Sequence, residues 1–371
     1  MDPAAGRLRF GNYAKTWLSG RTYERTTTAR DTSIMRTHLI PRWGTTPLGR
    51  IDHSAVQQWV RELSVPLAPA TVAQCHRLLS AVLRSAVRDR LVPANPCEGI
   101  RLPRQQRTAD HGVTIGRDAF LQRLVPAVPE RWRALVALAG GAGLRWGECV
   151  GLRWEAVDLD RGLVYVTRVA VEVAGHVTDK PFPKSKAGRR VVPLPPFVVE
   201  LLRQHRAQYE PGPAGQVFSN EAGGPPRRTL FRSRVWRPVL VRAGLLGAVR
   251  ETGQGTWIAS WPTSDGTTTS EQCASQREAV ALVARSAHGG LRFHDLRHSY
   301  ATWLISDGVP INDVQRVMGH EQASTTLNMY THAASEHDRF GRVLGAFAAF
   351  SLPSGSAPHI EGEGQAGEQA L

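Results

Sequence analysis

Lysine is nearly missing from this chain of 371 residues: Lys15, Lys180, Lys184 and Lys186 are the only four, so 42 of its 46 basic residues are arginine. Cysteine is as sparse. Cys75, Cys97, Cys149 and Cys273 lie far apart and form no C-x-x-C pair, which excludes a disulfide scaffold and a zinc knuckle. No apolar run approaches the roughly 18 residues of a membrane span, and the N-terminus has no hydrophobic secretory segment. His294 and His298 have the i, i+4 spacing of some zinc helices, but the Glu of H-E-x-x-H is missing between them. No trio of carboxylates suggests a two-metal nuclease. These absences point to a soluble protein of a reducing, cytoplasmic compartment. Acidic charge is also in deficit, 32 residues against the 46 basic, for a formal net charge of +14. The first 110 residues alone hold 17 basic and 8 acidic residues. An excess of that size favours a polyanionic partner.

Periodicity divides the chain. Residues 1–92 read as a four-helix domain. Phe10, Tyr13, Trp17 and Leu18 form one apolar stripe, and Ile34, His38 and Leu39 a second. Asp52 stands where a cap belongs, before Val56, Trp59, Val60 and Leu63, and Pro69 opens a long segment containing Val72, Leu79, Val82 and Leu83. Arg77, Arg84 and Arg88 fall on or near its polar side and are candidates for DNA phosphates. Residues 93–112, with Pro93, Pro96, Pro103, Arg101 and Arg104, read as an extended basic linker. A second domain spans 113–350 and is expected to be mainly α with a small antiparallel β-sheet, an α+β fold. Leu163–Val171 reads as one strand, Gly175 turns it into His176–Thr178, and Arg189–Leu194 is a third strand. Lys180 to Lys186 lie between the last two. Pro196 opens a helix, and Thr229–Ala243 is a basic helix carrying Arg232 and Arg234, which could lie along a DNA backbone. Residues 248–290 read strand, turn, strand, helix. Residues 337–350 form an apolar-striped helix, and 351–371, rich in Gly, Ser, Pro and Glu, read as disordered.

The densest chemistry lies near the end. His294 and Arg297 are three apart and share a face of a helix, with Leu291, Leu296, Tyr300 and Leu304 packing its other side. Gly308 and Pro310 interrupt the chain before a short apolar helix that ends at Gly319-His320, and Tyr330 follows. Upstream, Arg145 projects from a turn of small residues (Gly140, Gly141, Gly143), with Glu148 three positions on.

His294-x-x-Arg297, then Met318-Gly319-His320, then Tyr330-x-His332 resembles the C-terminal signature of the tyrosine recombinases, the phage-integrase family. Gly143-Leu144-Arg145-x-x-Glu148 resembles that family's first arginine motif, and Pro183-Lys184-Ser185 with Arg189–Pro193 resembles its lysine β-hairpin. The resemblance implies a helical core-binding domain closing over one face of the duplex, followed by an integrase-type catalytic domain. It also implies a covalent 3′-phosphotyrosine intermediate that needs neither metal nor nucleotide cofactor. Residues 248–290 interrupt the family pattern, which usually passes to His-x-x-Arg through a short link. They resemble the small arm-type DNA-binding modules that integrases often carry at the N-terminus. A decorating insertion that packs Trp257 and Trp261 on the catalytic domain is the competing expectation.

A phosphodiester attacked by a nucleophile builds negative charge on its non-bridging oxygens, so positive charge, an attacking oxygen and a proton for the leaving group must meet there. Arg145 and Arg297 are the expected phosphate clamp, because a guanidinium fork matches phosphate geometry. Tyr330 is the expected nucleophile, His294 its base, His320 a phosphate hydrogen-bond donor and Lys184 the acid for the departing 5′ oxygen. Glu148 is expected to orient or neutralise around Arg145. The expected partner is double-stranded DNA, with a homotetramer on it, segment 337–350 docking in a neighbouring protomer, and an accessory DNA-bending or directionality factor. The protein would be nucleoid-associated when bound. A type IB topoisomerase-like nicking-closing enzyme and a catalytically inactive DNA-binding regulator are the alternatives.

Overall fold

The computed structural model describes residues 5–21, 24–104, 113–180, 188–253 and 255–319. Helices dominate, with small antiparallel sheets among them, an α+β architecture. The N-terminal part comprises α1 (Phe10–Ser19), α2 (Arg25–Ile34), α3 (Ile40–Trp43), α4 (His53–Leu63) and α5 (Pro69–Arg88). A π-helical stretch, Met35–Leu39, joins α2 to α3. Asp52 caps α4: its carboxylate accepts the Ala55 N–H at 2.8 Å, satisfying one of the helix's orphan donors. Pro69 occupies the first turn of α5, where its missing N–H costs nothing. Phe10, Leu39, Trp43, Val56, Leu79 and Leu83 close one hydrophobic cluster. Each such side chain contributes roughly 1.5–3 kcal/mol on leaving water. Trp43 and Trp59 meet edge to face within it, ring centres 5.8 Å apart.

The expected extended basic linker after α5 is irregular over its described part and packs against the N-terminal helices. Val92 and Cys97 are buried in the same cluster. Gln57 clasps the backbone of Arg101 from both sides, accepting its N–H at 2.8 Å and donating to its carbonyl at 3.0 Å. Side chains thus supply the hydrogen bonds that an irregular, proline-rich backbone cannot make with itself.

The second hydrophobic cluster runs from Ile115 to Leu296. A π-helical turn (Ala119–Leu124) leads into α6 (Val125–Ala127), then α7 (Glu130–Gly141) and α8 (Trp146–Val150). Strands β1 (Val157–Asp158), β2 (Leu163–Val166), β3 (Val169–Val173), β4 (His176–Lys180) and β5 (Arg190–Pro193) follow. The expected single strand over Leu163–Val171 is two strands in two sheets. β2 lies between β1 and β5 in a three-stranded sheet, whereas β3 leaves it at Thr167–Arg168 and pairs only with β4, from Val169↔Lys180 to Val173↔His176. Burial accounts for the split. Val164 and Val166 of β2 are buried on either side of exposed Tyr165, while β3 is half-buried along its whole length. Lys180 is therefore the last residue of a strand.

α9 (Pro196–Gln208) and α10 (Arg228–Phe231) come next, and α10 continues through a π-helical Arg232–Trp236 into α11 (Arg237–Arg242). Residues 248–290 carry one strand more than expected: β6 (Ala248–Glu251), β7 (Trp257–Pro262) and β8 (Thr268–Cys273) form a meander, followed by α12 (Gln276–Ser286). β6 is short and half charged, so it lacks an apolar alternation to betray it. Ala259, Trp261, Val280 and Val283 are buried in the same cluster as Leu135 and Trp236. The segment is therefore built into the domain. α13 (Asp295–Ser306) and α14 (Ile311–Met318) end the described chain. Among the described residues no helix is long and apolar enough to cross a membrane.

Candidate active site

Arg145, Glu148, Arg190 and Arg297 converge from a turn, a helix, a strand and a second helix. Arg145 is the N-cap of α8, and Glu148, three residues on, returns its carboxylate to the Arg145 N–H at 2.8 Å. The same carboxylate receives the Arg145 guanidinium at 2.8 Å and, on both oxygens, the Arg190 guanidinium at 3.0 Å. Arg297 approaches it to 4.0 Å. Three cations thus surround one anion whose side chain is 2 % exposed. Burial works to raise the Glu148 carboxyl, but Arg190, then Arg145 and Arg297, outweigh it and hold it at about 2. It is ionised and neutralises one of the three guanidiniums, so the cluster keeps a net positive charge.

The guanidiniums also share a second partner, the C-terminal end of α14. Arg190 donates to the Val317 carbonyl, Arg297 to that of Met318 and Arg145 to that of Gly319. Helix ends leave such carbonyls without intrahelical donors, and cations there also oppose the negative end of the helix dipole. Gly319 closes the helix at φ 62°, ψ 47°, the left-handed conformation that suits glycine. His320 is the next residue in the chain.

Arg145 and Arg297 differ in exposure. The Arg145 side chain is 37 % exposed, whereas that of Arg297 is 2 % exposed and sits beneath, one nitrogen also on the Gly143 carbonyl. Gly143 has φ +67°, and a Cβ there would come within 2.5 Å of the Tyr300 ring, so only glycine lets the turn carrying Arg145 reach α13 this closely. Tyr300 packs with Ala301, Val314 and Met318, in keeping with the core role expected for it.

His294 occupies the N-cap position of α13, one residue outside the helix in which the sequence pattern placed it. Phe293 determines where it stands. Its ring packs edge-on against Trp146 (5.1 Å between centres), Trp236 (5.6 Å) and Phe231 (5.7 Å). The residue before His294 is thereby keyed to the residue after Arg145. Trp236 also donates its indole N–H to the Leu291 carbonyl at 2.7 Å, fixing the approach to His294. Asp295, fully buried, accepts from the Arg292 backbone at 2.7 Å and from its guanidinium at 2.9 Å. His294 is exposed at the mouth of this cluster. Crowding by protein on its inner side, with the His298 imidazole and the Arg297 and Arg145 guanidiniums, pushes its pKa down to about 4. The imidazole is therefore neutral near pH 7 and free to accept a proton.

Lys184, His320 and Tyr330 lie outside the described residues, as do segments 337–350 and 351–371. Of the arginines expected at DNA, Arg77, Arg84, Arg88, Arg101 and Arg104 are exposed on the N-terminal part, and Arg232 and Arg234 are exposed on the helix through Arg242. Arg190 is the site residue that motif reading passed over. Its signal was faint: an arginine in a strand beside the lysine hairpin, with no nearby acidic residue in sequence to explain it.

The phage integrase family model matches residues 119–337. A putative prophage phiRv2 integrase of Mycobacterium tuberculosis is 27 % identical over 346 residues, spanning 91 % of this chain and 79 % of the relative. The integrase of Mycobacterium phage D29 is 26 % identical over 94 % of this chain and 81 % of its own length. Among solved structures, the Tn1549 transposon integrase in complex with circular intermediate DNA superposes with a TM-score of 0.67 at 16 % identity, covering 91 % of this chain and 99 % of that one. A lambda integrase dimer bound to a COC′ core site gives 0.56 at 14 % identity, over 87 % and 95 % of the two chains.

Proposed function

The chain belongs to the phage integrase family of tyrosine recombinases, and from that premise we propose how it carries out site-specific DNA recombination. The Tyr330 phenol attacks a DNA phosphorus while His294 takes its proton. The bond from phosphorus to the 5′ oxygen breaks, and Lys184 protonates that oxygen. The strand is left esterified to Tyr330 through its 3′ phosphate, and attack by another strand's 5′ hydroxyl reverses the sequence on a new partner. Arg145, with Arg297 beneath it, carries the positive charge that meets the developing negative charge on the phosphate, and His320 donates a hydrogen bond to it. Glu148 and Arg190 are positioning residues that hold both guanidiniums. The single observation behind this reading is the convergence of three guanidiniums and a neutral imidazole where α14 ends and His320 begins.

The exposed arginines Arg77, Arg84, Arg88, Arg101 and Arg104 would contact phosphates from residues 1–92 and the run after them, closing a clamp on the duplex. Four protomers would assemble on DNA, where an accessory bending or directionality factor would act, each inserting its segment 337–350 into a neighbour. The apolar groove of about 440 Å³ between α7, α9 and α13, lined by Phe120, Leu121, Phe197, Trp303 and Leu304, is a fitting acceptor. Tyr330→Phe is expected to bind DNA normally and to form no covalent adduct on a nicked suicide substrate, read by denaturing electrophoresis. An adduct persisting in that variant would move the nucleophile to another residue.

A further inference from the structure

The insertion at 248–290 does more than fill space beside the domain. Its helix α12 and the α10–α11 helix form the two walls of an open groove of about 1090 Å³, with the segment from Ala287 to Arg292 as its floor. Five guanidiniums line it: Arg232, Arg234 and Arg237 on one wall, Arg285 on the other, Arg292 at the floor. The carboxylate among its lining residues is that of Asp295, buried and already bonded to Arg292. We propose that this groove is a second DNA-backbone site, holding duplex phosphates on Arg232, Arg234 and Arg285 next to the candidate active site.

Four observations carry the inference. Arg237 is tied down: it donates to the carbonyls of Ala284, Ala287 and Gly289, capping α12 and locking the two walls together. The groove is therefore preformed. Arg232, Arg234 and Arg285, by contrast, make no hydrogen bond or ion pair among the described residues, and Arg232 stands close enough to Arg237 to repel it. Crowded like charges without carboxylates are costly unless an anion joins them. The basic face is confined to this side, because the strands of the insertion carry Arg250 as their one cation and offset it with Glu251 and Glu271. Finally, the groove is lined by Arg292 and Asp295, two residues before and one after His294, so a backbone lying in it passes close to the segment that carries that imidazole. Its open form and arginine lining suit a polyanion better than the apolar enclosure a small ligand prefers.

The inference rests on the recombinase reading for its partner, but binding and chemistry separate in the test. Salt dependence of affinity for a fluorescent 40-base-pair random duplex is measured for the full chain, for Arg234→Ala/Arg285→Ala and for Tyr330→Phe. The double variant is expected to lower the slope of log K against log salt by about one per guanidinium removed, with an unchanged thermal unfolding midpoint. Tyr330→Phe keeps the slope and loses the adduct. An unaltered slope in the double variant overturns the groove and leaves the recombinase reading standing. Loss of slope with no adduct from any active-site design retains the groove and refutes the chemistry. As a positional check, Ser233→Cys is expected to cross-link to a duplex bearing a disulfide tether on its phosphates. Cys75, Cys97, Cys149 and Cys273 are buried and compete poorly for the tether. Absence of the cross-link, with the introduced thiol titratable, also overturns the proposal.

Discussion

Glu148 is a small residue for what depends on it, since three guanidiniums from distant parts of the chain meet at its two oxygens. Removing one partner of a buried ion pair leaves the others uncompensated, typically at a cost of about 3–5 kcal/mol. Glu148→Gln is therefore expected to lose stability of that order in urea unfolding and to disperse Arg145 and Arg297. The pH dependence has two opposite origins. The Glu148 carboxyl is depressed from 4.5 to about 2 in the fold, so its contribution is complete above pH 4.5 and is lost as pH falls towards 2. The imidazoles of His76, His205, His294 and His298 are all lowered from 6.5 by burial, so the unfolded chain takes up protons first. Stability is expected to be flat above about pH 6.5, to decline below it, and to fall further below 4.5. Urea midpoints between pH 3 and 8 check this. With His294 as the base, the single-turnover rate of adduct formation is expected to fall with acid as its imidazole protonates, at a pH raised above that of the free protein by the DNA phosphate. A rate unchanged in His294→Ala across that range would assign the base elsewhere.

Between elements, contacts distant in sequence decide what local pattern leaves open. Asp52, Pro69, Pro196 and Gly319 announce helix ends through the chemistry of their own backbone, and each marks one in the fold. His294 was less legible. Hydrophobic periodicity extends through it, and its backbone is still helical, but it stands at the N-cap, where Phe293, held by Trp146, Phe231 and Trp236, anchors the entry to α13. Arg190 was illegible for the same reason, since its carboxylate partner stands 42 residues away. The division between β2 and β3 follows from which sheet face is covered, and the unbroken β-rich run from Leu163 to Val171 does not reveal that. Gly143 joins the turn of Arg145 to α13, and Gly143→Ala is expected to be severe. A left-handed alanine costs about 1–3 kcal/mol, and the overlap with Tyr300 adds about 1–3 more. A fall in the thermal midpoint together with weakened adduct formation would bear this out; a neutral substitution would show that the turn can move.

At the scale of the whole molecule, the insertion and the family core are one body. Ala259, Trp261, Val280 and Val283 lie in the cluster that also holds Trp236, the indole that fixes the approach to His294. Excising residues 248–290 and rejoining the ends is therefore expected to yield an unfolded or aggregating domain, measured by near-ultraviolet circular dichroism. A folded product would mean that the family core closes without it. The two halves of the chain meet where α2 lies against β3, and an ion pair joins them there. Lys180, at the end of β4 and immediately before the segment with Lys184, reaches across to Glu24 ahead of α2. With the Glu24 side chain half exposed to water, such a pair contributes at most about 1 kcal/mol and weakens in salt. A fastening that slight holds the strand end against α2 at little thermal expense, so raising the ionic strength is expected to loosen it without unfolding either half.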